Sequence, residues 1–228
     1  FSPGPITYIL NLKNDSKISK FVTNKKNTLA VRFPKHTIFR KLLNKLDYPV
    51  AAPSANISTR LSAVQASDVK EDFGDRIKYI LDGGKCNIGL ESTIIDLVNK
   101  PKILRLGGLE VSKIKKALIK KIEIGTNPNK KIAPGQTKLH YSPGIPLRMN
   151  IKKPKENEAF ILLKKNKSIH PNYFYLSKES NLKEAAKNLY SLLRKIKKKG
   201  YKSIAVEKIK NFGIGQTIND RLKRASRF

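Results

Sequence analysis

The residues of this chain best suited to chemistry are hydroxyls, glycines and isolated arginines gathered in four short segments, 1–7, 52–62, 89–93 and 105–108. Each segment adjoins a stretch that reads as a strand. In an α/β sheet such turns present backbone N–H groups and Ser or Thr hydroxyls at one rim. A phosphate or carboxylate can be bound there without any side-chain nucleophile. Taken singly, each segment reads first as an ordinary turn. The sequence holds no HExxH, CxxC, Walker glycine loop or GxSxG elbow, which argues against metal hydrolases and serine hydrolases. Glu91 and Asp96 are not brought together by strand alternation, so neither is assigned acid–base work. The lone Cys86 can form no internal disulfide and reads as inert. His36 and His170 read as surface residues.

The wording and order of the segments carry more than any one of them. Phe1-Ser2-Pro3-Gly4-Pro5-Ile6-Thr7, Thr28-Leu29-Ala30-Val31-Arg32, Ala51-Ala52-Pro53-Ser54-Ala55-Asn56, Asp82-Gly83-Gly84, Gly89-Leu90-Glu91-Ser92-Thr93-Ile94-Ile95-Asp96 and Ile103-Leu104-Arg105-Leu106-Gly107-Gly108 resemble, in sequence and order, the YrdC-like domain of threonylcarbamoyl-AMP synthases. Ala133-Pro134-Gly135-Gln136 followed by His140-Tyr141-Ser142-Pro143 is similar to the linker of the two-domain form. Gly213-Ile214-Gly215 with Ile218-Asn219-Asp220-Arg221-Leu222 is similar to the end of its second domain.

The resemblance implies an α/β fold: a YrdC-like twisted mixed sheet with helices, a linker, then a small Rossmann-like three-layer α/β domain. It implies a reaction in which L-threonine, bicarbonate and ATP give threonylcarbamoyl-AMP and pyrophosphate for tRNA threonylcarbamoyladenosine modification. ATP is then a substrate, accompanied by Mg²⁺. The threonine is expected to meet Arg32, Ser92 and the backbone of Ala52, while Thr28, Ser54, Ser62 and Arg105 surround the nucleotide. These types suit those roles, because Arg grips a carboxylate or phosphate with paired charge-assisted bonds and Ser is a compact donor. Ser54 and Asn56 are also natural turn shapers. His140 and Tyr141 stand either as lid contacts over the site or as plain packing.

The sequence departs from the pattern at Ser2, where Trp is common, at Thr59, where Gly is frequent, and at Thr137-Lys138-Leu139 in place of Lys-Tyr-Arg. The family's early Thr-rich turn and Lys-x-Arg element have no counterpart here. The expectation is therefore an N-terminally truncated chain whose own turnover is weak or absent.

The elements that must position these residues follow from periodicity. Residues 6–12, 28–33, 50–52, 77–81, 92–97 and 102–106 read as strands, being short and rich in β-branched or other apolar residues. Residues 38–46 and 111–121 read as helices, and Ser67 as the cap of a short one. Beyond a Gly/Asn/Pro/Lys linker, 159–163, 173–176 and 203–207 read as strands, and 182–198 and 214–225 as helices. Strands alternating with helices imply a largely parallel α/β arrangement. The expected organisation is 1–123, nucleotide- and threonine-binding; 124–146, linker and lid; 147–228, C-terminal α/β domain.

Length and a 39% hydrophobic content suffice for a real core, and no apolar run is long enough for a membrane helix. No signal-peptide pattern opens the chain. A soluble cytoplasmic protein is the expectation. The net charge is +31, which invites a polyanion partner. The basic residues are mostly Lys, scattered among many Asn and Ile as in an AT-rich genome. They number 26 against 11 acidic residues up to Pro146 and 22 against 6 beyond it. Expected partners are L-threonine, bicarbonate, ATP, proteins of tRNA modification and, weakly, RNA. The alternative is a non-catalytic YrdC-like RNA-binding or ribosome-associated protein. A carbamoyl-transfer domain of hydrogenase maturation gives no reason for a second lobe. The tail beyond Pro146 favours the two-domain synthase.

Overall fold

The short apolar runs find backbone partners in a computed structural model that describes residues 1–118, 122–125, 140–166 and 170–226. In chain order the elements are β1 (Ile6–Asn11), α1 (Lys20–Thr23), β2 (Thr28–Val31), α2 (Thr37–Leu43), α3 (Ala66–Phe73), β3 (Thr93–Asp96), β4 (Lys102–Arg105), α4 (Val111–Ala117), β5 (Glu123–Ile124), β6 (Leu147–Arg148), β7 (Ala159–Lys164), β8 (Tyr173–Ser177), α5 (Leu182–Lys198), β9 (Ile204–Val206) and α6 (Gly215–Ala225). They divide into two units, Phe1–Pro53 with Glu91–Gln136, and Ser54–Leu90 with Thr137–Phe228.

The first unit is built on a mixed sheet of order β2-β1-β3-β4-β5. β1 runs parallel to β3 and antiparallel to β2, while β4 is antiparallel to β3 and parallel to β5. Strand alternation sends Ile6, Ile95 and Ile103 to one face, where they pack with Leu109, Val111 and Ile114 of the α4 region. Ile9, Ile94 and Leu104 form a smaller cluster. Full burial of one such side chain contributes roughly 1.5–3 kcal/mol. These clusters therefore fix the register that sets which residues meet at the ends of the strands.

The second unit holds an all-parallel sheet of order β6-β9-β7-β8. Its longest helix, α5, forms because Ala185, Ala186, Leu189, Tyr190, Leu193 and Ile196 recur at helical spacing and are all buried. Asn181 caps it, its Oδ1 accepting from Lys183 N at 2.9 Å and Glu184 N at 3.1 Å. Lys195, Lys197 and Lys198 suit the negative end of the helix dipole. The α5 stripe packs with Ile161, Leu176 and Ile204 of the sheet, with Ile218 and Leu222 of α6, and with Leu61 and Val64.

Several sequence expectations are corrected. Residues 50–52 and 77–81 join no sheet among the described residues. Val50, Tyr79 and Leu81 are instead exposed, Tyr79 at 80%, and an apolar run becomes a strand only where backbone partners exist. Ser67 lies inside α3, which begins after Gln65, so it is not the cap. The connection between β1 and β2 contains the short α1, capped by Ser19 and closed by Asn24 at φ 52°. The two-residue strands β5 and β6 are too short to leave a periodic trace. His36 is exposed, as expected, and accepts from Phe39 N at 3.5 Å at the start of α2. The expected linker residues 126–139 lie outside the described residues.

Candidate functional site

In the first unit the strand registers gather three of the four hydroxyl- and glycine-rich segments at one rim. Ile6 lies opposite Thr93, and Ile94 opposite Arg105. The turn before β1, the turn before β3 and the end of β4 therefore meet. The end of β2 joins them, because Gly4 N donates to Phe33 O at 2.9 Å.

Ser92, immediately before β3, is buried, and its Oγ stands 2.7 Å from Thr7 Oγ1. Arg105, the last residue of β4, donates from Nε and Nη2 to Ser92 O at 3.1 and 2.9 Å. Its Nη2 also lies 3.1 Å from Ser92 Oγ. Arg32, just past β2, donates from Nε to Gly4 O at 3.3 Å. Thr93 locks the floor, its Oγ1 donating to Leu109 O at 2.7 Å. Gly107 is required by close approach: a Cβ there would stand 2.3 Å from both Ser92 C and Thr93 N.

Arg32, Ser92 and Arg105 are thus brought to one rim, although Arg105 was assigned to the nucleotide and Ser92 to threonine. Thr28 is not brought there. It pairs with Asn11 at the other end of β1, about 13 Å along the strand from Thr7 at the usual rise. Ala52 is exposed and lies in no regular element. Two guanidiniums, two hydroxyls and fixed backbone groups can bind and align an anionic ligand and stabilise developing charge. Thr7 and Gly107 belong to the resembling segments, though the resemblance gives neither a role in the site. Their signal is a hydroxyl at the start of β1 and a glycine just after Arg105.

The second unit carries Ser54, Ser62, His140 and Tyr141. Ser54 is exposed and Ser62 half-buried. Asn56 is buried and bonds its own loop, its Nδ2 donating to Ile57 O at 2.9 Å and Arg60 O at 3.3 Å. Ser142 N donates to Thr59 O at 2.9 Å. Val64 N donates to Asp68 Oδ2 at 2.9 Å. Arg194 of α5 donates from Nη2 to Leu61 O at 2.8 Å and to Asp72 Oδ2 at 2.7 Å, and from Nη1 to Asp72 Oδ1 at 2.9 Å. Asp72's hydrogen bonds hold the Arg194 pKa above the ordinary guanidinium value. Beside this fork lies a cleft of about 350 Å³, lined among others by Arg60, Asp72, Ser142 and Lys197. Sequence reasoning missed Arg194; its only signal is being the one Arg in a Lys-rich helix.

Tyr141 is 1% exposed, with φ 62°. Its ring stacks on Tyr190 at 5.7 Å, and the Arg221 guanidinium sits 4.7 Å from its centroid. His140 lies against it at 4.0 Å. Here Tyr141 is an anchor in the core of its unit. Among the described residues no group of three or more His, Cys, Asp or Glu could hold a metal ion, and no helix is long and apolar enough to cross a membrane.

Residues 1–107 match the Sua5, YciO and YrdC family model, described as telomere recombination, and residues 109–227 match the threonylcarbamoyl-AMP synthase C-terminal domain. The chain is 33% identical to a threonylcarbamoyl-AMP synthase of Pyrococcus abyssi over 99% of its length and 71% of the relative's. It is 32% identical to that of Bacillus subtilis, covering 70% of the relative, and 30% identical to that of Schizosaccharomyces pombe, covering 64%. The fold is similar to the crystal structure of P. abyssi Sua5 complexed with L-threonine. The TM-score is 0.86 at 33% identity, over 99% of this chain and 71% of that one.

Proposed function

The chain belongs to the threonylcarbamoyl-AMP synthase family, and from that premise we propose how its residues divide the work of the family's reaction. That reaction is a nucleotidyl transfer for tRNA modification. The threonine amine takes up bicarbonate as a carbamate with loss of water. A carbamate oxygen then bonds to the α-phosphorus of ATP, and the bond to the β-phosphate oxygen breaks, releasing pyrophosphate.

The observation that carries the assignment is the rim where Thr7, Arg32, Ser92 and Arg105 meet. Arg32 and Ser92 bind the threonine carboxylate, with backbone from Ala52. Arg105 holds Ser92 in place and faces the charge that develops on the transferred phosphoryl group. Support comes from the likeness to a Sua5 structure that contains L-threonine. Ser54 and Ser62 contact the nucleotide, with Thr28 meeting the part of it that lies away from the rim, and Mg²⁺ would accompany ATP and supply neutralisation of the phosphate charge. With no covalent nucleophile required, the rate arises from alignment and charge stabilisation. The organisation into 1–123, 124–146 and 147–228 goes with this reading, with His140 and Tyr141 as the fixed end of the connecting segment. The protein works in the cytoplasm, passes its product to tRNA-modification proteins and binds RNA weakly.

The test is pyrophosphate release from ATP, which should require threonine and bicarbonate together. Arg32→Ala should raise the threonine KM over the ATP KM by about 1.5–3 kcal/mol, the loss of a charged hydrogen bond. Release at an unchanged rate without threonine sinks the assignment.

A further inference from the structure

We propose that Arg194, on α5, is a positioning residue for the nucleotide loop 54–62, so that the C-terminal part of the chain sets the geometry of ATP binding. The inference rests on the assignment of Ser62 to ATP. Ser62 sits between two residues whose backbone groups are fixed by α3 and α5. On one side Leu61 O accepts from Arg194 Nη2 at 2.8 Å. On the other, Val64 N donates to Asp68 Oδ2 at 2.9 Å, and Val64 O accepts from Cys86 N at 2.8 Å. The same guanidinium makes a paired contact with Asp72 of α3, and its Nε lies 4.0 Å from Asp68 Oδ2. One side chain therefore ties α5, α3 and the backbone next to Ser62 into a single unit.

The clamp is largely buried on its helix side and borders the cleft described above. The Arg194 side chain is 11% exposed and that of Asp72 6%. Leu61 and Val64 are buried in the same core as Leu189 and Leu193 of α5. A charge-assisted fork in such surroundings has one good geometry. Lysine cannot reproduce it, because one ammonium cannot present the paired donors that bridge a carboxylate and a carbonyl. Upstream, Ser142 N holds Thr59 O at 2.9 Å and the Asn56 amide closes the turn, so α5 supplies the downstream fixed point of the loop. A hydroxyl displaced by about 1 Å no longer makes a well-formed hydrogen bond to a charged phosphate, a loss of roughly tenfold or more in binding.

The experiment compares Arg194→Lys, Ser62→Ala and the double variant with the parent protein. Calorimetric binding of ATP and of L-threonine is measured, together with amide hydrogen exchange. Arg194→Lys should weaken ATP binding at least tenfold, change threonine binding less than twofold, and speed exchange at Val64 and Cys86. The double variant should bind ATP no more weakly than Ser62→Ala alone, because Arg194 acts through Ser62. Unchanged exchange at Val64 and Cys86 in a folded Arg194→Lys protein overturns the clamp whatever happens to ATP. Equal weakening of ATP and threonine, or full additivity with Ser62→Ala, overturns it as well. Should Ser62→Ala leave ATP binding intact, the nucleotide assignment falls, and the inference falls with it. Should Ser62→Ala weaken ATP while Arg194→Lys does not, only the clamp is lost.

Discussion

Replacing Gly107 by Ala adds one methyl group where two backbone segments of the first unit approach closely. The new Cβ would stand 2.3 Å from Ser92 C, 2.3 Å from Thr93 N and 2.5 Å from Glu91 O. All three are backbone atoms, and ordinary contact needs about 3.5–4.0 Å. The two segments must therefore part by about 1 Å. That movement stretches the bond from Gly108 N to Glu91 O, now 2.8 Å, and the Arg105 contacts to Ser92 O. Overpacking of this kind costs about 1–3 kcal/mol of stability, a fall in Tm of roughly 2–4 °C for each kcal/mol in a chain of this size. The displaced group is Ser92, proposed to hold the threonine carboxylate, so threonine binding should weaken by about 10- to 100-fold, the loss of one hydrogen bond to a charged group. Gly84→Ala is the control: at φ 77° it is strained, but nothing lies within 4 Å of the added carbon, so it should cost about 1 kcal/mol and leave threonine binding unchanged. Thermal melting and threonine titration of both variants provide the assay. A Gly107→Ala protein with parental threonine affinity would refute the link between this close approach and the site.

Two other consequences can be checked separately. Glu158 is 1% exposed and accepts from Arg148 Nη2 at 2.6 Å and Nε at 3.1 Å, with Lys155 N at 2.9 Å. The Arg148 hydrogen bonds, chiefly, hold its carboxyl below the usual range. Its stabilising contribution is therefore present above the unfolded value of about 4.3 and is lost as pH falls through the lower folded value. Glu158→Gln should cost about 2 kcal/mol at neutral pH and flatten the acid limb of a denaturation series; an acid limb as steep as the parent's would show that Glu158 does not contribute. The charge of +31 predicts RNA binding that weakens steeply with salt and ignores sequence; filter binding that does not change between about 50 and 200 mM salt would contradict it.

The amino-acid sequence by itself determined α5 to the residue, because the apolar stripe from Ala185 to Ile196 is a local property written at helical spacing. It determined most strands of both sheets for the same reason. The segments that hold Arg32, Ser92 and Arg105 were legible as turns beside strands, and it was their resemblance in wording and order to the synthase family that singled them out. Tertiary structure alone decided which motifs meet. The register of β1, β3 and β4 joins Arg105 to Ser92 and leaves Thr28 at the opposite end of β1. It also decided that residues 50–52 and 77–81 would not be strands, because strand formation depends on a partner elsewhere in the chain. Arg194 finds Asp72 across 122 positions. In sequence it is one more cation in a basic helix. The proposed clamp exists only where packing of α5 on Leu61 and Val64 brings two distant carboxylates within reach.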